Sequence, residues 1–391
     1  MPSKTLAALL ALGSIVAAAP NAMHRQAATR KMIVGGPAQI LTVDFDGASF
    51  QITGKNESAG ATPSWLRYQA KTGTLYAVNE TGDNLSVYTL NATGNATEPA
   101  YVSSAAASSG VVFLEFNKDQ TRMVGAAYGS GMIDVWDVSE PHAPKLLKQI
   151  AVQGTLGPGQ DMHHPHQALL EPSGRYMIVN DLGGDQLLVL DTKDDKFEVT
   201  SSEPLFSGAG PRHGGFLHSG NTTYYAVACE LSSKVLLFEL DYSDAATLKF
   251  KSISEQSTYG PGFGPANTTT AAAGAMAVAS NNRDVYISNR LTGNATDSIA
   301  HFTFDAAKPG LAFADTVSSH GIQPRQMSFS AAEDLLYVAN QAGDYGLVAL
   351  TRCEVSGRLG ATPVAMTPLS DVVAPAAVGQ QYPGPEYIHE I

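Results

Sequence analysis

The stretch Tyr176–Asp191 reads YMIVNDLGGDQLLVLD: an apolar β-rich run, a short Gly/Asp turn and a second apolar run. That is the pattern of a β-hairpin. It returns as LYAVNETGDNLSVYTL at Leu75–Leu90 and LYVANQAGDYGLVALT at Leu336–Thr351, and more loosely at Met32–Phe45, Met123–Val138, Tyr225–Leu240 and Val285–Phe304. Aligned on the residue closing the first run, the copies place Gly36, Glu80, Tyr128, Asp181, Glu230, Arg290 and Gln341 in one column, 44 to 60 residues apart. A strand often introduced by Pro precedes most copies, as at Pro63, Pro165, Pro211 and Pro324, and a weaker strand follows, as at Lys249–Ile253. Four strands per repeat of this length predict an all-β chain folded as a seven-bladed β-propeller. The Met32 copy lacks a preceding strand, whereas Gly384-Pro385-Glu386-Tyr387-Ile388 has the form of one without a hairpin. Tyr387–Ile391 is therefore expected to be the innermost strand of the blade built from Met32–Gly54, so that both termini close the ring and no sheet edge is left exposed.

Composition agrees with a turn-rich β protein. Charged residues are 15% of 391, and Gly 37 and Pro 21 are abundant, which excludes a coiled coil or a disordered chain. With 36 acidic against 24 basic residues, net charge −12 and no basic run, nothing matches a phosphate backbone, so no nucleic-acid partner is expected. Residues 1–19, with Lys4, the apolar Leu6–Val16 and Ala17-Ala18-Ala19, have the layout of a secretory signal; 20–31 read as a short leader and 32–391 as a single propeller. No later stretch is apolar enough to cross a bilayer, and a secreted, extracellular protein with no membrane partner is expected. Asn-x-Ser/Thr sequons at Asn56, Asn79, Asn84, Asn91, Asn95, Asn221, Asn267 and Asn294 fit export as a glycoprotein. Asn79, beside Glu80, is expected to stay bare for want of room, and the other seven to be candidate glycan sites. Cys229 and Cys353 fall in different repeats, so no disulfide framework is available.

In an antiparallel pair the start of the innermost strand and the end of the second lie at the same end. Two columns therefore crowd one mouth of the central channel: Ser64, His166, Arg212, Arg325 and Glu386 from the innermost strands, and the Glu80-to-Gln341 column from the second. In so charge-poor a chain, three Arg, three Glu, an Asp and a His gathered here mark either a site or a set of ion pairs tying blades together.

The motifs HPHQALLEPSGRYMIVND (His164–Asp181), GPRHGGFLHSG (Gly210–Gly220), VACELSSKVLLF (Val227–Phe238), VYISNRLTGNATDSIAHF (Val285–Phe302) and QPRQMSFSAAEDLLYVANQ (Gln323–Gln341) resemble the seven-bladed lactonase family, which includes 6-phosphogluconolactonases and carboxymuconate cyclases. The resemblance runs from about Met32 to the C-terminus. It implies that His166, Arg212, Glu230 and Arg290 form the catalytic group, with Arg325 as a further anion contact; Asp181, Glu80 and Gln341 join them as substrate-binding candidates from the mouth columns. The chemistry suits the groups: His166 or Glu230 to activate water, with Glu230 alternatively orienting the imidazole, and Arg212 and Arg290 to hold an anion and stabilise a tetrahedral oxyanion. The expected activity is hydrolysis of a small anionic lactone of sugar-acid type, most like 6-phosphogluconolactone. A lactone-forming cycloisomerase acting on a muconate-like substrate and a non-catalytic binding propeller are the alternatives.

No cofactor or metal is expected. The run His163-His164-Pro165-His166 has no helical spacing for paired ligands and no Cys or acidic set to complete it. His213 and His218 are expected to pack or face solvent, and Trp65 and Trp136 to sit in blade cores. The long segments Gln153–His164 and Ser257–Ala272, both leading into innermost strands, are expected to overhang the mouth.

Overall fold

The computed structural model describes residues 29–57, 62–90 and 98–391. Among the described residues twenty-eight strands form seven antiparallel four-stranded sheets, each following the chain from the innermost strand outward, with one exception. Numbering blades from the first complete repeat, the innermost strands are Leu66–Gln69, Val111–Phe116, Pro165–Leu170, Pro211–Ser219, Ala272–Val278, Ile322–Phe329 and Tyr387–Glu390. The exception is blade seven, where Tyr387–Glu390 pairs with Arg30–Gly36, Val34 opposite Ile388, and the sheet continues through Gln39–Phe45 and Phe50–Asn56. Ring closure by the C-terminal strand thus stands as the sequence predicts.

Each second and third strand is buried on both faces, which is why these runs read as almost unbroken apolar sequence rather than strict alternation. Seven apolar clusters fill the gaps between neighbouring blades. One joins Met32, Val34, Leu41 and Ile388 of blade seven to Tyr337, Leu347 and Ala349 of blade six. Another joins Ile178 and Val189 of blade three to Tyr225, Val227 and Cys229 of blade four. Trp136 lies wholly inside such a gap and donates to the Ala106 carbonyl at 2.9 Å, as expected for a core indole.

The sequons fall at very different depths. Asn221 is exposed in the turn between Pro211–Ser219 and Thr222–Cys229, at the end of the propeller opposite the mouth. Asn267 and Asn294 are exposed as well. Asn79 is half-buried, its amide donating to Asn84 Oδ1 at 2.8 Å, and Asn84 in turn donates to Ser86 Oγ at 3.0 Å. Asn56 corrects its expectation: it is buried and its side-chain amide donates to the Pro99 carbonyl at 2.7 Å, leaving no room for a glycan on that nitrogen in the folded chain. Asn91 and Asn95 lie outside the described residues.

Candidate functional site

A repeated irregularity decides which side chains meet in the channel. The pairing of innermost and second strands slips by one residue at Val112, His166, Arg212 and Arg325, each of which is passed over in the ladder while its neighbours pair normally. Such a bulge bends the strand and re-aims the extra side chain. The column residues His166, Arg212 and Arg325 are therefore the supernumerary ones. Consecutive residues then face the same space: Arg212 with His213, and Arg325 with Gln326, line one cavity together with Ser64, Trp65, Val112, His166 and Glu386. Blade five slips at Gly274–Ala275 and supplies no polar side chain from this position. There a Cβ on Gly274 would stand 2.8 Å from Cδ and 3.0 Å from Nε of Arg290, so the glycine leaves the space through which Arg290 of the second strand reaches inward.

Charges converge at the mouth as two linked groups. Nε of Arg212 and Nη2 of Arg290 each lie 2.8 Å from the same oxygen, Oε2 of Glu230, although the Arg212 contact is a charge contact without the angle for a hydrogen bond. Arg325 donates from Nη2 to Glu80 Oε2 at 2.5 Å and has Nη1 3.7 Å from Glu386 Oε1, which also accepts from Gln341 Nε2 at 2.6 Å. Arg212 is 2% exposed and its Nη1 has no partner. Burial and the like charges of Arg290 and Arg325 make its charged form costly, only partly offset by Glu230 and Glu80. A guanidinium keeps its proton even so, and that cost falls when an anion binds.

His166 is buried with Nδ1 unpartnered, its ring edge-on to His213 at 5.1 Å and to Tyr128 at 5.7 Å. Burial first, then the charge of Arg212, holds its pKa well below the ordinary imidazole value, so the ring is neutral at pH 7. His213 is depressed in the same way by burial and Arg212. Burial also disfavours the charge of Glu80, but Arg325 and Ser64 outweigh it and hold Glu80 below the usual carboxylate range.

The structure brings His166, Arg212, Glu230, Arg290, Arg325 and Glu80 to one mouth, and corrects several readings. Glu230 lies against two guanidiniums and makes no hydrogen bond to His166, so it does not orient the imidazole. Asp181 is completely buried: its carboxylate accepts from the His164 backbone at 2.8 Å and from Gln186 at 2.9 Å and holds His163 Nδ1 at 2.7 Å. It fastens the segment 152–164 to blade three and has no oxygen to offer a substrate. Gln341 is likewise buried and positions Glu386. Two further residues also face the channel. Trp65 packs against two of the apolar clusters, as expected, and lines the cavity as well, its ring 4.3 Å from Phe113, 5.0 Å from Tyr387 and 5.6 Å from His213. His213 is buried, as expected for a packing residue, and lines the same cavity. Tyr128, stacked on His164 at 4.2 Å, was present in the second column but not singled out. The Asp185 carboxylate, which accepts from Gly208 and Gly210 backbone N–H at 2.7 and 2.8 Å, holds the loop leading to Arg212.

With this geometry in view, comparison with known proteins is informative. Residues 27–370 match the family described as lactonase, seven-bladed β-propeller. A protein of Arthroderma benhamiae named "Probable 6-phosphogluconolactonase" is 29% identical over 278 residues, 68% of each chain. Solved structures superpose over most of the ring. The periplasmic gluconolactonase of Pseudomonas aeruginosa gives a TM-score of 0.75 at 21% identity over 93% of this chain and 99% of that one. A Lactobacillus plantarum protein gives 0.74 at 20% identity over the same shares. Likeness at these identities carries the fold, and the family match, spanning nearly all of the described ring, carries the rest: the chain belongs to the seven-bladed β-propeller lactonase family.

Proposed function

We propose that the protein is an exported hydrolase that opens a small anionic lactone of sugar-acid type, 6-phosphogluconolactone or a close analogue. The observation that carries this reading is Arg212: a fully buried guanidinium at the channel mouth with a free donor, sharing a single carboxylate with Arg290. While the Glu386 carboxyl holds its proton, three guanidiniums against the carboxylates Glu80 and Glu230 leave one positive charge for a ligand anion. The relative named for 6-phosphogluconolactone and the neighbour named gluconolactonase support the substrate class.

In hydrolysis, neutral His166 takes a proton from a water as its oxygen bonds to the lactone carbonyl carbon. The carbonyl oxygen, now negative, faces Arg212 and Arg290, which Glu230 holds side by side through charge contacts at 2.8 Å. The ring C–O bond then breaks, and its oxygen leaves as an alcohol once protonated.

Assay of the purified protein against sugar-acid lactones with and without a phosphate or carboxylate tests the reading. Faster opening of the anionic members is expected, with no loss in chelator. Turnover of a carboxymuconate alone would replace hydrolysis by lactone formation, and no turnover of any member would leave a binding propeller.

Export through the secretory route has its own expected result. Glycopeptide mass spectrometry on secreted material should find glycans at Asn221, with Asn56 and Asn79 bare. Full occupancy at Asn79 in an active protein would contradict its packing beside the Glu80 column.

A further inference from the structure

Glu386 stands just before the strand that closes the ring and was not among the residues the family resemblance points to. Its carboxyl is buried, with Oε1 held by Gln341 and near Arg325, while Oε2 has no partner. That oxygen belongs to a residue lining the small cavity under the mouth, and other lining residues also carry a buried polar atom without a partner, among them Trp65 Nε1, His166 Nδ1, Arg212 Nη1 and His213 Nε2. So many unpaired polar atoms around one space are uncommon in a folded protein and point to a ligand or water shared among them. The cavity has about 10 Å³ open to the centre of a water molecule, about the room one water needs.

We infer that Glu386 is the proton-exchanging carboxyl of this site, linked to His166 through water held in the channel cavity, and that this pair, not His166 with Glu230, moves the protons of lactone opening. The inference rests on the hydrolytic reading above. The charged and titratable groups around Glu386 are Arg325 from blade six, Glu80 from blade one, His166 from blade three, and Arg212 and His213 from blade four. Burial pushes its pKa up, to about 7, against the pull of Arg325 and with the added push of the ionised Glu80. Glu80 keeps its charge because it holds the short contact to Arg325, and two carboxylates sharing one guanidinium do not both ionise readily.

The proton balance follows. The attacking water gives one proton to His166 as its oxygen bonds to carbon. The ring C–O bond breaks and its oxygen takes the proton of Glu386 through the cavity water. His166 then returns its proton by the same water to the Glu386 carboxylate, and the enzyme is as it began while lactone and water have become a hydroxy acid.

Two measurements test this on the whole protein. Infrared difference spectra between about pH 5 and about pH 9 should show a carboxylic C=O band that disappears through about pH 7 and is absent in Glu386→Gln. This readout needs no substrate, so it stands whether or not the lactone reading survives. On the lactone that the wild type opens, kcat should fall on the alkaline side with a midpoint near pH 7. Glu386→Gln should lose about 10²-fold or more in kcat and lose that alkaline limb, with KM little changed, and Glu386→Asp should recover part of both. A Gln variant that is folded and keeps the wild-type pH profile overturns the inference, as does a titrating band that survives in it. Loss of kcat with the alkaline limb intact would make Glu386 a purely structural partner of Arg325 and also overturn it.

Discussion

Arg212→Ala is expected to lower kcat/KM for an anionic lactone by about 10³-fold, roughly 4 kcal/mol of transition-state stabilisation. The guanidinium is asked to do two things at one place, to neutralise the substrate anion and to face the developing oxyanion, and Arg290, paired with Glu230, covers only part of that role. Glu230 keeps Arg290 at 2.8 Å, so its carboxylate is not left without a countercharge and the variant should fold. Thermal unfolding beside the kinetics separates the two effects: a large kinetic loss with a small shift in Tm is the result expected. Unchanged kcat/KM in a folded Arg212→Ala protein would remove the anion site from the proposed mechanism.

His166→Ala should lower kcat by about 10² to 10⁴, the usual worth of a general base. The pH dependence carries more information than the size of the loss. Because burial and Arg212 depress the pKa of His166, the base form persists on the acid side, and the acid limb of kcat/KM should lie well below pH 6.5 in the wild type. The profile expected is a plateau bounded low on the acid side by the imidazole and near pH 7 on the alkaline side by Glu386. An acid limb at or above pH 6.5 would mean that the base is a solvated group and not this buried ring.

The architecture was legible because β-sheets impose a repeat on sequence. Buried second and third strands must be apolar, their turns must carry Gly, Asn or Asp, and seven recurrences 44 to 60 residues apart leave few alternatives. The pairing of Glu386-Tyr387 with the N-terminal strand was legible for the same reason, since a segment with the form of an innermost strand but no hairpin had one place to go. The column residues His166, Arg212 and Arg325 were also found, because the end of the sheet to which they belong follows from strand direction alone. What failed was the depth and facing of their neighbours. Residue type alone left His213 to pack or to face solvent, and did not show that it lines the channel. The bulge at Arg212 adds a residue, and both then face the channel. Trp65 packs against apolar clusters as its size suggests, but that it also lines the channel cavity was not legible, since an aromatic at a strand start reads the same in either place. Asp181 was misjudged for a different cause. A carboxylate at the mouth looks the same in sequence whether it meets a ligand or a loop, and here the His163-His164 backbone and side chains had claimed it.

Glu386 directly precedes the strand that pairs with Arg30–Gly36 to complete blade seven, so one short segment both seals the ring and finishes the site. The two events therefore cannot be separated in time. Synthesis delivers that strand after the other twenty-seven, and a nascent chain with six blades formed and the seventh open already holds Arg212, Glu230, Arg290 and His166 but has no proton store among them. On the proposed mechanism, reactivity is in this way deferred until the molecule is whole. A protease that clips the exposed segment before Glu386 would silence the chemistry without first dismantling the six blades that came before.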